Sequence, residues 1–128
     1  MSSSNLKGVM IGAGYFAQFH AEGWSRTVGA TIASIADATP GRASEFAAKW
    51  NIARSDVDAA EMLDRERPDF VDIVTRPEAH LALTELAASK GIHVICQKPM
   101  APSWQDCLTM VAGCKRAGVR LLIHENWR

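Results

Sequence analysis

Short apolar runs alternate along this chain with longer stretches whose apolar positions recur at helical spacing. Residues 6–11 (LKGVMI), 31–35 (TIASI), 70–75 (FVDIVT), 93–98 (HVICQK) and 119–124 (VRLLIH) read as strands, rich in β-branched and aliphatic side chains. Helical stretches separate them. The first runs over 15–27, after a glycine-rich turn. The second runs over 40–50, where Pro40 suits a first helical turn. The third runs over 56–67, with Asp56 as N-cap, Val57, Ala60 and Leu63 on one face, and Pro68 as its stop. The fourth runs over 77–90, carries Leu81, Leu83, Leu86 and Ala87, and ends at Gly91. Ser103 caps the last helix and Gly118 ends it. Strands separated by helices predict a parallel sheet covered on both faces. Right-handed crossovers make it a doubly wound α/β fold of about five strands. A sixth strand is not expected, so 119–124 is predicted to be an exposed edge, a route to pairing between chains.

Composition narrows the class. The chain has 128 residues, 48 % apolar and 22 % charged. That suits one globular domain with a core that needs neither disulfides nor metal. Fourteen Lys and Arg balance fourteen Asp and Glu, for a net charge of zero. A nucleic-acid module or a polybasic membrane binder would carry a basic excess. The apolar runs are too short to span a bilayer. Residues 1–5 lack a basic or apolar leader and read as a disordered tail. Three cysteines, Cys96, Cys107 and Cys114, without a secretion signal suggest reduced thiols in the cytoplasm. Cys107 and Cys114 lie about 10 Å apart along a helix axis, too far for a disulfide. His20, His80, His93 and His124 show no metal-ligand pairing, and no metal site is expected.

Candidate chemistry begins at the end of the first strand. Gly12-Ala13-Gly14-Tyr15-Phe16-Ala17 is a GxGxxA turn between a strand and a helix. Gly12 permits the tight turn. Gly14 lets the backbone approach a pyrophosphate. Ala17 is small enough for close helix–strand packing. The helix N-terminus adds free N–H groups and partial positive charge, and Tyr15 and Phe16 sit on that turn. The second strand leads into Asp37, 23 residues beyond Gly14. A carboxylate there accepts both hydroxyls of an adenosine ribose and repels a 2′-phosphate, so NAD is favoured over NADP. The alternative for Asp37 is a turn cap, since it begins an Asp-x-x-Pro segment. Arg42 lies close enough in sequence to reach a 2′-phosphate; its alternative is a solvated residue of the second helix.

Four segments together resemble the glucose–fructose oxidoreductase, inositol dehydrogenase and MocA family of sugar oxidoreductases. They are the glycine turn; Ala36-Asp37 with Arg42-Ala43; Thr75-Arg76-Pro77-Glu78-Ala79-His80; and the run from Gly91 to Met100 containing Gln97-Lys98-Pro99. The closing His124-Glu125-Asn126-Trp127-Arg128 is similar to the family's passage out of its cofactor domain. The resemblance covers residues 6–128 and implies a Rossmann domain that binds NAD(P). It implies that Thr75 and Pro77 line the cofactor pocket, with His80 supporting their loop. His80's alternative is a half-buried histidine without ligand contact. It also implies that Gln97 and Lys98 face the nicotinamide ribose and the substrate. The Lys98–Pro99 bond is expected to be cis, aiming the lysine into the site. Asn126 and Trp127 are expected near the nicotinamide.

Lys98 is the residue assigned to chemistry. Oxidising a sugar carbinol requires removal of the hydroxyl proton, and an ammonium beside the oxygen stabilises the alkoxide and relays a proton. The family usually has Glu-Lys-Pro, and Gln97 replaces that carboxylate here. Arg76 stands where the family often has proline or a small residue. The family's second domain, which holds the substrate, is expected to be absent from these 128 residues. The resemblance therefore implies the cofactor domain of a sugar or polyol oxidoreductase, inactive by itself. The alternative is a non-catalytic dinucleotide-binding module or partner subunit. Self-association through the sheet edge or an uncovered apolar face is the other expectation.

Overall fold

The computed structural model describes residues 5–124. Of the expected tail, residues 1–4 lie outside this range. Asn5 is described, and its side-chain amide donates to Thr31 Oγ1 at 2.8 Å.

Six parallel strands form one sheet: β1 Leu6–Ile11, β2 Ala30–Ala36, β3 Arg54–Asp56, β4 Phe70–Ile73, β5 His93–Gln97 and β6 Leu121–His124. Their spatial order is β3-β2-β1-β4-β5-β6. Five helices connect them: α1 Ala17–Ser25, α2 Arg42–Trp50, α3 Ala59–Glu66, α4 Pro77–Ser89 and α5 Trp104–Ala117. Strand order reverses between β1 and β4, whose register pairs Val9 with Val71 and Ile11 with Ile73. Ligands of open α/β sheets bind outside the strand C-termini at such a reversal.

Side-chain alternation divides the core. Val9, Ile11, Val71, Ile73, Val94 and Cys96 face α3, α4 and α5, packing with Met62, Leu63, Ala87 and Met110. Met10 and Ile35 face the opposite side with Ala17 and Ala21 of α1 and Phe46 of α2. β6 is an edge strand, as expected, and its Leu122 is 55 % exposed.

The structure corrects several local expectations. The sixth strand exists. Arg54–Asp56 supplies it at the far edge, pairing Ser34 with Arg54 and Ala36 with Asp56. Three polar residues carry no apolar alternation, so this strand is invisible to hydrophobic periodicity. Asp56 is consequently a strand residue. Asp58 caps α3 instead, accepting from the Glu61 N–H at 3.1 Å. Val57 lies before α3, not on its buried face. α1 begins at Ala17, so Tyr15 and Phe16 belong to the glycine turn. Pro40 precedes α2, whose N-cap is Gly41. Ser103 caps α5 as expected, accepting from the Asp106 N–H at 3.1 Å.

Candidate dinucleotide-binding site

A cleft of about 890 Å³ opens at the C-terminal edge of the sheet, over the strand-order reversal. The glycine turn forms its floor. Gly12 has φ +105°, a conformation that side chains disfavour, and a Cβ there would collide with the main-chain carbonyl of Val74. Its N–H donates to Ala36 O at 2.8 Å. Gly14 is different. A Cβ on Gly14 would meet nothing within 4 Å. Its bare Cα faces space, which is what close approach of a pyrophosphate requires. Ala17 is fully buried under the turn and packs α1 on the sheet; it does not line the cleft. No side chain caps α1 and its first turn holds no acid. The Ala17, Gln18 and Phe19 N–H groups donate to Gly14 O, Tyr15 O and Phe16 O at 3.1, 3.4 and 3.1 Å, so the donors left for an anion are the N–H groups of Gly14, Tyr15 and Phe16 in the turn that leads into α1. Tyr15 and Phe16 line the cleft at 71 % and 56 % exposure.

Asp37 forms the wall beyond β2. Its Oδ2 accepts from the Ala13 N–H at 2.8 Å, tying β2 to the glycine turn. Its Oδ1 accepts from the Thr39 N–H at 2.8 Å, which is the turn-capping alternative read from sequence. The turn cap does not use up the carboxylate, because each oxygen keeps a second lone pair with which a hydroxyl could bond. Arg42 and the exposed Val57 flank it in the same wall.

The opposite wall comes from the loops after β4 and β5. Thr75, Arg76 and Pro77 line it, with Lys98 at the end of β5. The Lys98–Pro99 bond is cis. Among the described residues no carboxylate pairs with Lys98, Arg76 or Arg42. These are three uncompensated cations around one carboxylate, a balance that suits a pyrophosphate. Arg76 and Val57 are not among the site residues read from the sequence, which notes Arg76 only as a departure from the family and places Val57 on a helix face. The charge of Arg76 within the Thr-Arg-Pro loop is the signal that points to it.

Two candidates turn inward. His80 is fully buried and gives the cleft no surface. Its Nε2 lies 3.1 Å from Thr75 O and its Nδ1 lies 3.0 Å from Met100 O. The ring therefore links the two loops of this wall instead of touching a ligand. Gln97 borders the cleft, yet its Oε1 accepts from the Lys98 N–H at 2.9 Å and from His124 Nδ1 at 3.3 Å. Its Nε2 faces His20 Nε2 at 3.3 Å. One amide hydrogen remains for a ribose. Asn126 and Trp127 lie outside the described residues.

The cysteines offer no nucleophile here. All three are free, burial pushes Cys96 up to about 12, and burial raises Cys114 as well. Among the described residues, no cluster of His, Cys, Asp and Glu could hold a metal ion, and no helix is long and apolar enough to cross a membrane.

A six-stranded sheet that reverses under an open glycine turn, with a carboxylate after its second strand, defines a dinucleotide-binding Rossmann domain. Residues 6–125 match the NAD-binding Rossmann fold of the Gfo/Idh/MocA oxidoreductase family, and the chain belongs to that family. It is 45 % identical over 123 residues to a D-apiose dehydrogenase of Paraburkholderia graminis, covering 96 % of this chain and 33 % of that protein. It is 41 % identical over 128 residues to a D-apiose dehydrogenase of Rhizobium rhizogenes, covering 100 % of this chain and 37 % of that protein. The chain thus spans about a third of the length of these curated relatives. Among solved structures, an oxidoreductase from Agrobacterium radiobacter in complex with NAD+, L-tartaric acid and magnesium superposes with a TM-score of 0.94 at 41 % identity. That match covers 98 % of this chain and 36 % of the other. The residues fit NAD: Gly14 leaves room, the turn before α1 keeps N–H groups that the helix does not use, and Asp37 retains acceptor capacity.

Proposed function

We propose that this domain holds NAD for the oxidation of a sugar or polyol carbinol, with Lys98 as the residue that meets the reacting oxygen. One observation carries the reading: an unpaired ammonium faces the same cleft as the open glycine turn and Asp37. Asp37 takes the adenosine ribose, and the glycine turn with the α1 N-terminus takes the pyrophosphate. Arg76 adds charge beside the phosphates. Bound NAD supplies the hydride acceptor. Lys98 stabilises charge on the substrate oxygen and relays its proton. His80 keeps the Thr75 loop against Met100, next to Lys98 and Pro99.

These 128 residues supply the cofactor half of the chemistry. Tyr15, Phe16 and Val57 leave the cleft broadly exposed, and hydride transfer needs the substrate held in place with water excluded. Binding without turnover is therefore expected of this chain alone. Titration with NADH, followed by its fluorescence, tests the reading. NADH is expected to bind about tenfold more tightly than NADPH, a difference of about 1.4 kcal/mol. Asp37→Ala is expected to abolish that preference. Lys98→Met is expected to weaken NADH less than Gly14→Ala does and to leave the preference for NADH over NADPH intact, because the ammonium faces the nicotinamide ribose and the substrate, away from the adenosine ribose. No binding at millimolar NADH overturns the reading, and equal affinity for NADPH shifts the ribose assignment toward Arg42. D-apiose, named for two relatives, is the first substrate to assay together with polyols. Sugar oxidation by the 128-residue chain alone would overturn the expectation of binding without turnover.

A further inference from the structure

A single main-chain hydrogen fixes the protons of a buried network behind Lys98. The Lys98 N–H can only donate, and its partner is Gln97 Oε1 at 2.9 Å. That contact assigns the oxygen and nitrogen of the Gln97 amide, since the reverse placement would set two donors face to face. The amide nitrogen then points at His20 Nε2, 3.3 Å away. An N–H donor requires a bare ring nitrogen, so His20 carries its hydrogen on Nδ1. Nδ1 lies 2.8 Å from Asp72 Oδ2, which only accepts. Trp24 Nε1 donates to the same oxygen at 2.8 Å. At the other end, an amide oxygen faces His124 Nδ1 at 3.3 Å, so that nitrogen carries a hydrogen too. His20, Asp72 and Gln97 are each at least nine-tenths buried. Water is thus largely kept from these bonds, and the tautomers are set by the protein.

The network joins two sides of the sheet. Asp72 sits in the middle of β4, facing α1, which contributes His20 and Trp24. Gln97 closes β5 and borders both the main cleft and a second hollow against α1. Side chains on the α1 side therefore reach the peptide N–H of Lys98 through one amide.

The geometry points to His20, Asp72 and Gln97 as a positioning unit for Lys98: Asp72 orients the His20 ring, His20 holds the Gln97 amide, and Gln97 holds the main chain from which Lys98 enters the cleft. This rests on the reading of Lys98 as the residue that meets substrate. Glutamine suits the unit because it gives a hydrogen to His20 and accepts one from Lys98 at once. Glutamate at this position would accept only.

Nitrogen-15 spectra of the histidine rings test the unit in the unmodified chain. His20 is expected as a single tautomer with Nδ1 protonated and Nε2 bare; an Nε2–H form would overturn the proposal. Amide exchange supplies the second readout. In Gln97→Leu the Lys98 N–H is expected to exchange about tenfold faster, while the Val94 N–H, bonded to Arg120 O, keeps its rate. Gln97→Glu is expected to restore protection at Lys98 without restoring the His20 tautomer. A Lys98 N–H indifferent to Gln97→Leu, or a His20 tautomer kept in Gln97→Glu, would overturn it. Neither readout uses NADH. Failure of dinucleotide binding with these signals intact therefore speaks against the functional reading and leaves the positioning unit standing.

Discussion

Two glycines of one turn have opposite reasons to be glycine. Gly12 is required by the fold, because its φ is +105° and a Cβ would strike the Val74 carbonyl. Gly14 has open space where its Cβ would be, so the fold tolerates a methyl there and a ligand would not. Gly12→Ala is expected to lower stability by about 2 kcal/mol or more, with main-chain collision added to φ strain. Gly14→Ala is expected to leave the melting temperature nearly unchanged and to weaken NADH about tenfold, or about 1.4 kcal/mol. Thermal melts and NADH titration of the two variants, side by side, check the contrast. The GxGxxA spacing shows that both positions matter but not that they matter differently. The difference lies in Val74, whose place beside Gly12 is set by β1–β4 pairing. The same limit applies to His80 and Gln97. Their motifs were legible, yet the direction of each side chain depends on partners at Met100 and His20, far away in sequence.

Among the elements, β3 was the one hidden from the sequence, and electrostatics explains how it holds. Arg54 donates to Glu66 from Nε at 2.5 Å and from its terminal nitrogen at 2.9 Å. Lys7 of β1 reaches Glu66 at 3.0 Å, and Arg65 bridges Glu66 and Asp56. Glu66 itself is 3 % exposed. The Arg54 hydrogen bonds, against the opposing cost of burial, hold its carboxyl down to about 2 from the usual 4.5. The carboxylates in turn raise Arg54 and Arg65. A carboxyl lowered in the folded state stabilises above its unfolded pKa, and the gain disappears as pH falls through the folded value. Stability is therefore expected to decline between about pH 4.5 and 2. Its size is on the order of 2 kcal/mol, reduced by the half-exposed cations. Glu66→Gln is expected to lose that amount at pH 7 and to flatten the acid limb, so that urea melts of the two proteins converge near pH 2. Periodicity found the five apolar strands because burial on one or both faces imposes it. β3 obeys a different rule, a polar edge fastened by ion pairs, and its contacts to Glu66 span twelve residues. The displaced helix cap follows from this, since Asp56 is committed to the strand and Asp58 is the next side chain able to accept from the first turn of α3.

At the scale of the whole molecule, the cleft is shared between two halves of the sheet. Gly14, Asp37 and Arg42 belong to the half built from β1, β2 and β3, whereas Thr75, Arg76 and Lys98 belong to the half built from β4, β5 and β6. Backbone bonds cross the junction mainly through β1 and β4, with Val74 N donating to Ile11 O at 2.8 Å. A dinucleotide held by both walls adds a second set of bonds across that junction and binds only when both halves are folded. Linkage then requires that ligand raise global stability, by about 2.7 kcal/mol at a hundredfold excess over its dissociation constant. For a domain of this length the melting temperature is expected to rise by about 5–10 °C with NADH. The rise should be smaller with NADPH at equal concentration and smaller again in Gly14→Ala. Differential scanning calorimetry checks this: NADH is expected to move a single cooperative transition upward, and a transition that stays in place at saturating NADH would show that the native domain does not hold the dinucleotide.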